Sequence, residues 1–110
     1  MTAFAGGAVY FSYPHYSVVE NSFFNYCRAL NVTYATLAGS EIGTAGSIYY
    51  ECGASDPACN LNITNSIFSQ GWAQSKGGAI HWNYYEPYMV NLTFANTQAG
   101  LYGDNISCYA

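Results

Sequence analysis

Glycine pairs that lead into a small residue, a branched aliphatic and a pair of aromatics recur along the chain: GGAVYF from Gly6, AGSIYY from Ala45, GGAIHW from Gly77 and the degenerate GDNISC from Gly103. Aligned on the aliphatic, the members share Val9, Ile48, Ile80 and Ile106, and the position two before it holds Gly7, Gly46, Gly78 and then Asp104. A second element precedes the last three members: Asn21-Ser22-Phe23-Phe24, Asn65-Ser66-Ile67-Phe68 and Asn91-Leu92-Thr93-Phe94, each followed at one fixed distance by an alanine, Ala29, Ala73 or Ala99. Phe68 to Ile80 and Phe94 to Ile106 each span 12 residues, whereas Phe24 to Ile48 spans 24, so the first unit carries an insert of 12. That insert falls between Leu30 and Thr44 and reads as a lateral loop.

Two short β segments per unit, separated by a glycine corner, predict an all-β chain built as a parallel β-helix, a solenoid of about four coils with lateral loop inserts. No window sustains a 3.6-residue apolar period, and Gly, Asn, Thr and Tyr suit helix interiors poorly, so a helical solenoid is excluded. A β-sandwich is the competing architecture, but it calls for hairpin signals such as Asn-Gly, and none occurs.

In such a solenoid, equivalent residues stack about 4.8 Å apart, and each repeat position becomes a ladder along the axis. Val9, Ile48, Ile80 and Ile106 form one apolar ladder, and Phe24, Phe68 and Phe94 form another. Glycine is expected at the corner for the dihedrals that a Cβ obstructs. Asn21 and Asn65 are expected in a buried corner ladder, their amides hydrogen-bonded to one another.

Length allows one domain, residues 1–110, with a single core. Composition then changes the picture. Charged residues make up 7% of the chain, with Arg28 and Lys76 alone basic and a net charge of −4, which argues against a nucleic-acid partner. Aromatics reach 18%, including 12 tyrosines, a strand-rich composition with little charge to keep its surface soluble.

Four N-x-[ST] sequons, at Asn31, Asn62, Asn91 and Asn105, offer covalent N-glycans in place of charge and point to an extracellular or cell-surface glycoprotein. Asn31 lies in the insert and Asn62 precedes the Asn column, so both should be exposed. Asn105 sits opposite the buried aliphatic, and Asn91 shares the column of Asn21 and Asn65. Four cysteines without a C-x-x-C agree with an oxidising compartment. Cys52 and Cys59 bracket a turn-forming hexapeptide and are the favoured disulfide, leaving Cys27 and Cys108 to pair or stay free. No run of about 20 apolar residues spans a bilayer. Met1 to Ala8 carries no basic n-region, so the chain reads as a processed product or as a segment of a larger extracellular protein or fibre.

GGAV at Gly6 to Val9 and GGAI at Gly77 to Ile80, paired with an F-x-x-N-like element, resemble the repeats of the polymorphic outer-membrane protein family. They are also similar to repeats in pectin-lyase-like β-helix surface proteins of protists. The resemblance implies a right-handed β-helix on a cell surface or in an extracellular assembly, and it implies no reaction.

Enzymes of that architecture cluster acids and bases on one face. Here Glu20, Glu41, Glu51, Asp56, Glu86 and Asp104 are scattered over different columns, so no catalytic residue, metal or cofactor is assigned. His81 stands in the column of Tyr10 and Tyr49 and is expected to be an aromatic-like ladder member. Tyr84 to Tyr88 and the Tyr10 to Tyr16 cluster offer the alternative function, a carbohydrate-binding or adhesive module that stacks tyrosines on sugar rings. The favoured function is structural: coils with unpaired edges at both ends join copies of the chain head to tail into a filament.

Overall fold

The computed structural model describes residues 2–3, 6–30, 44–53, 55, 57–101 and 103–109. The insert, with its sequon at Asn31 and with Glu41, lies outside the described residues, as does Asp56. Every regular element among the described residues is a strand. They run β1 (Thr2–Ala3), β2 (Val9–Ser12), β3 (Ser17–Glu20), β4 (Phe23–Asn25), β5 (Arg28–Ala29), β6 (Ile48–Glu51), β7 (Leu61–Ser69), β8 (Trp72–Ala73), β9 (Ile80–Asn83), β10 (Tyr88–Ala95), β11 (Gln98–Ala99) and β12 (Ile106–Tyr109).

These strands form three sheets, and every pairing is parallel. The first sheet is ordered β2-β6-β9-β12. In the second, β7 lies between β10 on one side and β3 and β4 on the other. The third is ordered β1-β5-β8-β11. Parallel neighbours ordinarily need a long crossover. Here the chain visits the first, second and third sheets in turn before returning to the first, so the strands paired in a sheet are one full circuit apart.

Register follows the repeat. Val9 pairs with Ile48, Ile48 with Ile80 and Ile80 with Ile106. Phe24 pairs with Phe68 and Phe68 with Phe94, and the alanine column aligns likewise from Ala29 through Ala73 to Ala99. The core lies between the sheets, where Ile48, Tyr50, Leu61, Ile63, Phe68 and Ile80 are buried. The phenylalanine rings stack, Phe24 on Phe68 at 4.8 Å and 4°, and Phe68 on Phe94 at 5.4 Å and 16°. Strand spacing sets this geometry, since parallel neighbours lie about 4.8 Å apart and identical side chains in one rotamer fall face to face.

The two glycines of each pair have different tasks. The first takes the left-handed backbone, with φ of 61° at Gly6, 72° at Gly77 and 72° at Gly103, while Ala45 adopts it at 65° in the degenerate member. The second is required for space. A Cβ on Gly7 would lie 2.1 Å from the Gly46 carbonyl oxygen, one on Gly46 2.1 Å from that of Gly78, and one on Gly78 2.0 Å from that of Asp104. Corner dihedrals therefore explain the first column, and close approach of successive backbones explains the second.

The Asn column departs from expectation. Asn21, Asn65 and Asn91 are exposed, not buried, and each has positive φ, at 51°, 50° and 56°. They occupy a bend in the second sheet that takes a single left-handed residue, a conformation Asn tolerates better than other side chains. The amide ladder forms on the outer surface, where Asn91 Nδ2 donates to Asn65 Oδ1 at 2.7 Å. Asn is selected here by its backbone rather than by a need to satisfy a buried turn.

Candidate functional surfaces

On the first sheet, alternating with the inward aliphatics, lies a buried chain of polar side chains. His81 on β9 is fully buried, its ring 5.1 Å from that of Tyr49 on β6, which in turn stacks on Tyr10 of β2 at 4.6 Å and 12°. His81 thus occupies the place of an aromatic in its column, and it also makes two polar contacts. Its Nδ1 is 2.6 Å from Ser107 Oγ on β12, and its Nε2 is 2.8 Å from Asn83 Oδ1. Asn83 Nδ2 donates to the Tyr49 hydroxyl at 3.0 Å, and its Oδ1 faces the imidazole as an acceptor. His81 therefore donates from Nε2, and Ser107 donates to its bare Nδ1.

Burial pushes the His81 pKa down to about 4, against a weaker upward pull from Asn83 and with a further downward push from Lys76. Ser107 falls in the His81 column, whereas Asn83 pairs in register with Tyr109 in a column where no residue type recurs. A polar residue two after His81 on the same strand, hence on the same face, was the available signal for Asn83.

The four acids among the described residues do not converge. Glu51 Oε2 accepts from the Tyr10 hydroxyl at 2.8 Å, Asp104 Oδ1 accepts from the Ala99 N–H at 3.1 Å, and Glu20 and Glu86 are exposed on the second sheet and in the segment leading to it. No group of three His, Cys, Asp or Glu that could hold a metal ion occurs among the described residues. The tyrosine strips are broken rather than continuous. Tyr13, Tyr16, Tyr84 and Tyr88 are exposed, but Pro87 is buried and Tyr85 packs against the core.

Cys52 and Cys59 form a disulfide with Cα atoms 6.1 Å apart, and both residues are buried in the same core cluster as Leu61 and Tyr50, at the join between β6 and β7. Cys27 and Cys108 are free thiols. Cys27 lies between β4 and β5 in the first circuit, while Cys108 is on the last strand of the first sheet. At about 4.8 Å per circuit they stand roughly 10 Å or more apart along the stack, beyond the separation of about 7 Å that a disulfide tolerates. The Cys52–Cys59 bond closes a short loop, and its chain-entropy contribution is about 2 kcal/mol. Adding a reductant is expected to lower the urea midpoint accordingly, and an unchanged midpoint would show that the bond adds nothing to stability.

Three sequons fall on described residues. Asn62, Asn91 and Asn105 are all exposed. Asn105 Oδ1 accepts from Thr97 Oγ1, and Asn91 has its amide nitrogen, the atom a glycan would take, bonded to Asn65. The Asn62 side chain forms no hydrogen bond among the described residues, and it is the best placed of the three.

No protein-family model matches the chain, and no solved structure matches it. The chain is similar to the "Probable autotransporter YfaL" of Escherichia coli (strain K12), with 33% identity over 104 residues. The match takes in 90% of this chain and 8% of that protein, so the chain spans a small part of its relative's length.

Proposed function

We propose that the chain is a stretch of a right-handed parallel β-helix in an extracellular or cell-surface protein, and that its role is structural rather than enzymatic. The observation that carries this is the state of the core at its two ends. In the middle circuits Ile48, Ile63, Phe68 and Ile80 are completely buried. Inward-facing residues of the outer circuits are only half-buried: Val9, Phe11, Val19 and Phe24 at one end, Leu92, Phe94 and Ile106 at the other. An apolar cross-section left open at both ends suits a unit continued by further circuits or by another molecule. Similarity to a short part of a protein named as an autotransporter supports a surface location, and the disulfide agrees with an oxidising compartment. Right-handed winding is the sense that parallel strand connections almost always take.

End-to-end joining of copies into a filament, coated by glycans at sites such as Asn62, is the more specific form of this proposal. Open strand edges at β2 and β12 favour it. Asp104 sets a condition on it, because its Cβ stands where Gly78 and Gly46 have none. A following copy must approach that corner less closely than successive circuits approach one another.

Labelling intact producing cells with a membrane-impermeant amine or thiol reagent tests the location, and a chain labelled only after lysis would refute it. Negative-stain microscopy of the purified chain tests assembly. Rods are expected, lengthened in the Asp104→Gly variant, and dispersed monomers for both proteins would end the filament form. Intact mass before and after glycosidase treatment tests the sequons.

A further inference from the structure

The corner between the second and third sheets repeats a three-residue step. Tyr26, Gln70 and Asn96 turn the chain with φ of 57°, 54° and 57°, and all three are exposed. The next residue in each circuit, Cys27, Gly71 or Thr97, is buried. After it come Arg28, Trp72 and Gln98, each paired in register across β5, β8 and β11, and each alternating with an inward alanine. Two outward columns therefore flank a re-entrant strip along the stack. Between them lies an open cleft of about 270 Å³ with Gly71 on its wall.

Its lining is chemically distinct from the rest of the surface. Arg28, one of two basic residues in the chain, points into it, and none of the four acids among the described residues lines it. The side chains of Arg28, Gln70, Trp72, Asn96 and Gln98 make no hydrogen bond or ion pair among the described residues. Three amides, a guanidinium and an indole N–H thus line one cleft without a hydrogen-bond partner among the described residues, beside the rings of Trp72 and Tyr26. Amides, which both donate and accept, match the paired hydroxyls of a sugar, and an indole face matches the C–H face of a pyranose. The planar guanidinium matches a carboxylate in a bidentate contact. One cation with no further basic group is too little for a polyphosphate or a nucleic acid. The volume lies just below the range of about 300–1,000 Å³ usual for small-ligand sites, room for one ring.

We propose that this cleft binds a single carboxylated pyranose of a glycan, with Trp72 as the platform, Arg28 on the carboxylate, and Gln70, Asn96 and Gln98 on the hydroxyls. The site is separate from the tyrosine strips and does not depend on how the ends of the stack are covered. Register places Arg28 and Gln98 on either side of Trp72, about 4.8 Å from it along the stack, so the carboxylate and a hydroxyl pair are read from opposite sides of one ring.

The test is titration of the purified chain with 3′-sialyllactose, with a hyaluronan tetrasaccharide and with lactose, followed by calorimetry and by amide shifts in NMR spectra. Either acidic probe is expected to bind at least about tenfold more tightly than lactose, and the one preferred identifies the source as a sialic acid or a uronic acid. Arg28→Gln, an exposed change with little effect on folding, should bring the acidic probe down to the lactose level. Trp72→Phe should weaken binding by about tenfold or more, and Tyr84→Ala should leave it unchanged. Absence of binding by both acidic probes would overturn the proposal. Equal binding of lactose, wild-type affinity in Arg28→Gln, or shifts centred on Tyr84 and Tyr88 would each overturn it as well.

Discussion

Gly78→Ala is expected to abolish folding, or to lower stability by at least about 4 kcal/mol. The added methyl would lie 2.0 Å from the Asp104 carbonyl oxygen and 2.7 Å from both the N and the O of Gln98. All three are backbone atoms, so no side-chain rotation can make room. Relief requires parting β9 from β12 and the corner from β11, which breaks ladder hydrogen bonds such as Gly78 N to Gly103 O at 3.0 Å and Ile80 N to Asn105 O at 3.0 Å. Overpacking of a core usually costs about 1–3 kcal/mol because neighbouring side chains yield. Here the neighbours are main chain on both sides. Gly53→Ala is the matched control, because its Cβ would meet only Tyr13 Cε1 at 3.7 Å, an ordinary contact. Urea unfolding of both variants checks the claim, and a Gly78→Ala midpoint within error of that of Gly53→Ala would contradict it.

The same glycines show how far repeats expose a fold. Aligning GGAV, AGSI, GGAI and GDNI yields the register of the first sheet, because a position that must stack on its own copy restricts the residue types that can stand there. Phenylalanine and alanine columns are legible for the same reason. The alignment cannot distinguish a glycine required for its dihedral from one required for its missing Cβ, since both are simply glycine. Asn21, Asn65 and Asn91 carry a similar ambiguity, because left-handed backbone and buried amide ladders select the same residue. The Arg28 and Trp72 cleft is hidden for the opposite reason. Its columns, Tyr26-Gln70-Asn96 and Arg28-Trp72-Gln98, share no residue type, as is natural for outward positions that need not pack on their copies. One signal does mark the second of them: each member stands immediately before an aligned alanine, on the outer face of an inward column.

Stability is expected to fall on mild acidification, by about 3 kcal/mol in all, as pH drops from about 6.5 towards 4. The cause is His81. Its ring is fully buried, and loss of hydration holds its pKa at about 4, against about 6.5 in an unfolded chain. Between those values the unfolded chain binds a proton that the folded chain refuses, so the contribution is fully present above pH 6.5 and drains away as pH falls through the window. By pH 5, where most carboxylates remain ionised, about 2 kcal/mol should already be lost. The hydrogen bonds do not by themselves forbid protonation, because Nε2 already donates to Asn83 and Ser107 Oγ can turn to accept from Nδ1. Desolvation is opposed by Asn83 and assisted by Lys76, and Tyr49, tilted at 40° against the ring, brings no charge to offset it. His81→Gln retains a donor and an acceptor without a titrating group. It should be less stable than the parent at pH 7 yet show a flat profile between pH 7 and 5. Urea unfolding at several pH values measures the slope, and NMR titration of the two histidine rings separates His81 from exposed His15. A His81 midpoint near 6.5, or an equal slope in the glutamine variant, would remove the buried imidazole as the cause.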